Sequence, residues 1–179
     1  MSLIHETKQA LQVAKEAHHG QLRAVGEDTG LSYFDTHVVR VTASVSENAK
    51  PAAALHDVVE DTDWDMEDLI VFSALRHERW ERPFRPATLM AVDLLTHRKA
   101  TSDYKDYLFR LVDPDIEWLH ADLQTGPQSD LHFAEAKEIA REVKIADTMD
   151  NLATTPHGPR RDTYLGALHH LTKPYDLNV

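Results

Sequence analysis

Apolar positions recur along this chain at spacings of three and four, the period of helices rather than the alternation of strands. Leu3, Thr7, Ala10, Leu11, Ala14, Ala17 and His18 follow that spacing and predict a first helix of about four turns. Gly20, Gly26 and Gly30 interrupt it, so 20–35 reads as a loop. A second helix is predicted over 36–48, capped by Asp35 or Thr36 and beginning near His37. Lys50-Pro51 starts a third, with Pro51 in its first turn, that runs on through Ala53 to Asp61. Asp63 or Asp65 caps a fourth at about 66–79, and Trp80 to Pro86, with two prolines, must turn. A fifth helix spans Ala87 to about Arg98, and a sixth, about 102–112, stops at Asp113-Pro114. Segment 113–130 reads as a short helix and a loop. The longest helix covers 132–153, with Phe133, Ala136, Ala140, Val143 and Ala146 inward, and a last one spans about 161–172. Convincing strands, internal repeats and linkers are absent, so the expected architecture is all-α, a single compact helical bundle over 1–179.

Composition narrows the classes. At 179 residues, 42% hydrophobic and 27% charged, the chain suits one soluble domain with a sizeable core. No apolar run is long enough to span a bilayer and no secretory signal opens the chain, which predicts neither membrane insertion nor export. The absence of cysteine removes disulfides and thiolate chemistry and fits a reducing cytoplasm. Nineteen basic against 30 acidic residues give a net charge of −11, which opposes broad nucleic-acid binding. A small polyanion stays compatible, given a local cationic patch and a metal.

The run Ala53-Ala54-Leu55-His56-Asp57-Val58-Val59-Glu60-Asp61-Thr62 changes the picture most. Apolar neighbours on both sides predict a buried helix, and a buried carboxylate needs a compensating charge or hydrogen bonds. An adjacent imidazole and carboxylate can hold a divalent cation and thereby satisfy both. Acidic residues at a helix C-terminus oppose the macrodipole, so Glu60 and Asp61 are poorly explained by structure alone. Upstream, His37 follows Tyr33-Phe34-Asp35-Thr36. Downstream, Asp147 shares a helical face with Asn151 late in the longest helix. Two histidines and two aspartates would make a mixed nitrogen and oxygen set suited to Mn²⁺, Fe²⁺ or Zn²⁺.

The ordered set resembles the HD phosphohydrolase superfamily. It is closest to the hydrolase domain of RelA/SpoT-type enzymes and their small single-domain relatives. The matching pieces are Ala17-His18-His19-Gly20-Gln21-Leu22-Arg23, Tyr33 to His37, His56 to Thr62, and Lys144-Ile145-Ala146-Asp147 with Asn151, covering about 14–152. The resemblance implies an HD-domain bundle whose metal, Mn²⁺ first among the candidates, is held by His37, His56, Asp57 and Asp147. It assigns Glu60 and Asp61 to acid–base work on the attacking water or leaving group. It places Arg23, Asn151 and Arg98 at the substrate, although Ala24 stands where relatives carry a lysine after the arginine.

The reaction so implied is removal of the 3′-pyrophosphate from (p)ppGpp, an alarmone, leaving GDP or GTP. Two alternatives stay open. One is a general HD nucleotide phosphohydrolase acting on pApp or on nucleoside mono- or triphosphates. The other is a non-catalytic nucleotide-binding or toxin-neutralising module, which would have no need of Glu60 and Asp61. Trp64, Trp80 and Trp118, near predicted helix ends, are suited to an interface between copies of the chain, and the oligomeric state is open. Tyr104, Tyr107 and Phe109 read as core with a wet rim, and His169-His170 as surface.

Overall fold

The protein is described by a computed structural model over residues 2–24, 26–75, 83–98, 102–124 and 128–173. Helices account for nearly all regular structure there, as the periodicity predicts. α1 (Leu3–Ala17) is capped by the Ser2 side chain, which accepts from the His5 amide. After it the chain forms a loop with one isolated antiparallel bridge, Leu22 to Ser32. A π-helical turn, Phe34–Val38, then runs without a break into α2 (Val39–Ala43). α3 (Lys50–Leu55) and α4 (Val58–Asp61) flank the His-Asp pair. α5 (Met66–Leu75), α6 (Pro86–Leu95), α7 (Tyr104–Val112), α8 (Ser129–Thr154) and α9 (Pro159–Thr172) follow.

α6 is the hub. Every residue from Ala87 to Leu95 is buried, as expected of a helix that is apolar on all sides. It lies along α8, while α1 packs on α3 and α9 covers the other side of α8. Leu55, Val58, Leu69, Phe84, Val92, Val143 and Leu171, all at or below 1% exposure, join these layers into one core. Burial of this kind fixes α3 and α8, and with them the two segments that carry the acidic donors.

Several boundaries differ from the sequence expectation, each for a local reason. The second helix starts earlier: the Ser32 side chain accepts from the Asp35 amide, so Asp35 and Thr36 lie inside the helix rather than capping it. It also ends at Ala43, with residues 44–49 in turns. The third helix does not run through the His-Asp pair but breaks there, Asp57 sitting at φ −104° and ψ −1°. Asp65 caps α5 by accepting from the Asp68 amide while Asp68 accepts from the Asp65 amide, a reciprocal capping box. α6 ends at Leu95, short of Arg98, and 113–130 contains two short 3₁₀ turns at Ile116–Trp118 and Ala121–Leu123. The end predicted for the fourth helix, Trp80 and part of the expected turn lie outside the described residues. His170 is half-buried, its ring edge-on to Phe109 at 4.7 Å, whereas His169 is exposed.

Candidate functional site

Three separate segments bring their side chains to one point, and each does so through a local device. The π-helical turn widens the backbone around His37; such turns recur at functional sites. The break at His56-Asp57 lets neighbouring residues aim together, although consecutive positions on a regular helix point about 100° apart. His56 Nε2 and Asp57 Oδ2 lie 2.9 Å apart in consequence. Asp147 enters from α8, which the core fixes in place.

His37, His56 and Asp57 offer donor atoms within 4.8 Å of one another. His37 Nε2 is 3.3 Å from His56 Nε2 and 3.3 Å from Asp57 Oδ2. Asp147 Oδ1 closes the group at 3.2 Å from His37 Nε2 and 3.8 Å from His56 Nε2. Donors about 2.1 Å from a shared cation and roughly 85–130° apart would be separated by about 2.8–3.8 Å, which spans the distances seen here.

The tautomers agree with this fit. His56 donates Nδ1–H to the Ala53 carbonyl at 2.8 Å, and His37 Nδ1 lies 2.7 Å from Asp150 Oδ2. With both Nδ1 atoms so engaged, each neutral imidazole turns a bare Nε2 towards the carboxylates. Four lone-pair donors then face one another inside the protein, an arrangement that only a proton or a cation relieves. The donor set therefore fits a divalent metal.

The electrostatics follow from the same crowding. Burial alone would lower the His56 pKa, but the neighbouring Asp57 and Asp147 carboxylates outweigh it and push it up to about 9. Burial likewise opposes charge on Asp57 and Asp147, yet both stay well below the usual carboxylate range because His56, and for Asp147 chiefly Lys144, favour the charged form. Tyr33 donates its hydroxyl to Asp57 Oδ2 at 2.5 Å, and burial next to that carboxylate raises the phenol. On α8, Lys144 Nζ reaches Asp147 Oδ2 at 2.8 Å and Asn151 donates to Asp147 Oδ1 at 2.6 Å, so residues three before and four after brace one carboxylate.

Of these groups Tyr33, Asp57, Lys144, Asp147 and Asn151 line a cleft of about 660 Å³, while His37 and His56 are buried next to Asp57 and Asp147 and do not line it. Glu60 and Asp61 line it next to Asp57, and the Glu60 carboxylate accepts the His97 amide at 3.1 Å. Arg23, 7% exposed, lines it from the loop after α1, held by Asn151 Oδ1 at 3.1 Å and resting 5.4 Å over the Tyr33 ring. Asn151 lines it too, as its helical register with Asp147 predicts. Arg98 is placed elsewhere. It is 40% exposed, pairs with the buried Asp93, and lines an adjoining cleft of about 460 Å³ that shares Glu60 and His97.

The sequence reading gives no site role to Lys144, Tyr104, Arg160, Thr163 or Tyr164, all of which line the main cleft. Lys144 had a signal, three positions before Asp147. Tyr104 reads as core from its pattern but stands at the cleft, with Lys144 6.0 Å from its ring centroid. Arg160, Thr163 and Tyr164 belong to α9, which reaches the cleft only because it folds back along α8. No local pattern marks them.

No family model matches the chain, and no curated protein matches it. A solved structure does. It belongs to a metazoan protein described as an ortholog of SpoT that hydrolyzes ppGpp and plays a role in starvation responses. The two are 23% identical with a TM-score of 0.56, over 93% of this chain and 83% of the other. They share one fold. That all-α likeness agrees with the RelA/SpoT-type HD resemblance of the motifs. No helix among the described residues is long and apolar enough to cross a membrane.

Proposed function

We propose that this protein is a metal-dependent phosphohydrolase that removes the 3′-pyrophosphate from a guanosine alarmone, (p)ppGpp, releasing pyrophosphate and GDP or GTP. The observation that carries the reading is the convergence of His37, His56, Asp57 and Asp147, of which Asp57 and Asp147 open onto a nucleotide-sized cleft. Its fold neighbour is described as hydrolysing ppGpp, which supports the choice of substrate.

When bound, a divalent cation, Mn²⁺ first among the candidates, supplies a charge that acidifies a water and offsets charge on the phosphoryl group. This chain's own residues do the rest. Glu60 and Asp61 stand at the cleft beside Asp57, Glu60 held by the His97 amide, and exchange protons with the attacking water and the leaving oxygen. Lys144, already paired with Asp147, and Arg23 and Arg160 bring positive charge to a protein that is acidic overall, which suits a substrate with several phosphates. Asn151 and the tyrosines offer hydrogen bonds and ring surface for a sugar or base.

The test is a manganese-supplemented assay of purified protein against a panel containing ppGpp, pApp and nucleoside mono- and triphosphates, scored for pyrophosphate against orthophosphate. Preferential pyrophosphate release from ppGpp is expected. Orthophosphate from many nucleotides would replace the reading with a general phosphatase. Binding without turnover would leave only a nucleotide-binding module.

A further inference from the structure

The face of His37 that points away from the cleft is held as firmly as the face that points in. Its Nδ1 meets Asp150 Oδ2 at 2.7 Å, and the other Asp150 oxygen accepts Arg40 Nε at 2.7 Å. A second Arg40 nitrogen, Nη2, reaches Asp150 Oδ2 at 3.3 Å and Asp28 Oδ2 at 2.5 Å. The chain of contacts runs from a buried imidazole on the π-helical turn, across α8, to α2 and the loop that carries Arg23. Asp150 is distinct from the four inner donors because it occupies the opposite side of the imidazole ring.

We propose that Asp150, braced by Arg40, is a positioning residue for the metal centre: it fixes the His37 ring so that Nε2 is the donor presented to the cation. The assignment rests on the metal-holding role of His37 argued above. An imidazole whose outer N–H is held by a carboxylate is locked in one tautomer, fixed in rotation and made a more basic ligand. His56 makes the corresponding contact with the Ala53 backbone carbonyl, which fixes its tautomer without a carboxylate's charge. Arg40 is 39% exposed, so its own charge is screened, and its contribution is to keep both carboxylate oxygens turned towards the ring.

A tether that merely joined α2 to α8 would affect folding stability and leave cation affinity alone, which separates the two roles. Mn²⁺ titrations by calorimetry on the full chain would compare the parent with D150A, D150N, R40A and the D150A/R40A pair, each checked for its melting temperature in chelator. D150A is expected to bind Mn²⁺ roughly 10- to 100-fold more weakly. R40A should lose less, and the double variant should match D150A, because the arginine acts only through the carboxylate. D150N keeps one acceptor oxygen and should fall between parent and D150A; it carries the test alone if D150A does not fold. Long-range ¹H–¹⁵N spectra of zinc-loaded protein should show the His37 Nδ1 protonated in the parent and a loss of that single tautomer in D150A. Parent-like affinity in the Asp150 variants would overturn the assignment while leaving the metal centre intact. A parent chain that binds no Mn²⁺ would overturn both.

Discussion

A cation that binds only the folded site must stabilise the fold, and here the size and pH dependence of that effect follow from the donors. The four inner groups come from three segments, so the unfolded chain offers no comparable site. At free Mn²⁺ of about 100 times Kd the stabilisation is about 2.7 kcal/mol. For a chain of this length each kcal/mol moves the melting temperature by roughly 2–4 °C, so the expected rise is about 5–11 °C over protein in chelator. The pH dependence has a definite sign. His56 has a folded pKa of about 9, above its ordinary value, so the metal-free protein gains stability from that proton at low pH. That gain is fully present below the unfolded value near 6.5 and is lost as pH rises through about 9. A cation must displace the same proton, so its affinity grows by up to about tenfold per pH unit over that window. Differential scanning fluorimetry with and without Mn²⁺ at several pH values measures both effects, with H56A as control. A shift that shrinks from pH 6.5 towards 9, or one equally large in H56A, would refute the argument.

Other expectations can be checked with equal directness. E60A or D61A should lose about 10²–10⁴ in kcat while Mn²⁺ binding is kept, as turnover and calorimetry would measure; turnover at the parent rate would remove the acid–base role. L55A should cost about 2–5 kcal/mol in denaturant unfolding, because a fully buried side chain on α3 would leave a cavity beside the His-Asp pair. At Gly26, φ is +90° and an added Cβ would lie 2.4 Å from the Thr154 carbonyl oxygen, so G26A should push the Arg23 loop off the end of α8. That variant is expected to raise KM for a phosphorylated nucleotide more than it lowers kcat, and an unchanged KM would sink the role given to this loop. Y33F removes the hydroxyl donated to Asp57 and should cost about 0.5–1.5 kcal/mol of stability, read from thermal melts in chelator.

The sequence by itself determined the helical character and the chemical inventory. Periodicity is a property of neighbouring residues, so the longest helix, predicted over 132–153, is found at Ser129–Thr154, and the last, at about 161–172, is found at Pro159–Thr172. The His56-Asp57 pair stands out because a carboxylate set among apolar residues is costly unless something compensates it, whereas His37 is singled out by the family resemblance of its segment. What the tertiary structure alone decided is how closely the donors meet and what stands behind them. The π-helical turn at His37, which packs against α1 and α3, and the break at Asp57 interrupt stretches whose periodicity reads as unbroken helix. Asp150 and Arg40 lie 110 positions apart, and Arg160 and Tyr164 reach the cleft only through the fold-back of α9, so no spacing along the chain could reveal either. Arg98 illustrates the converse. Its sequence neighbourhood points to the substrate, but the buried Asp93 on α6 draws it to an adjoining cleft. Local pattern fixes what a segment can offer, and long-range burial decides where that offer is used.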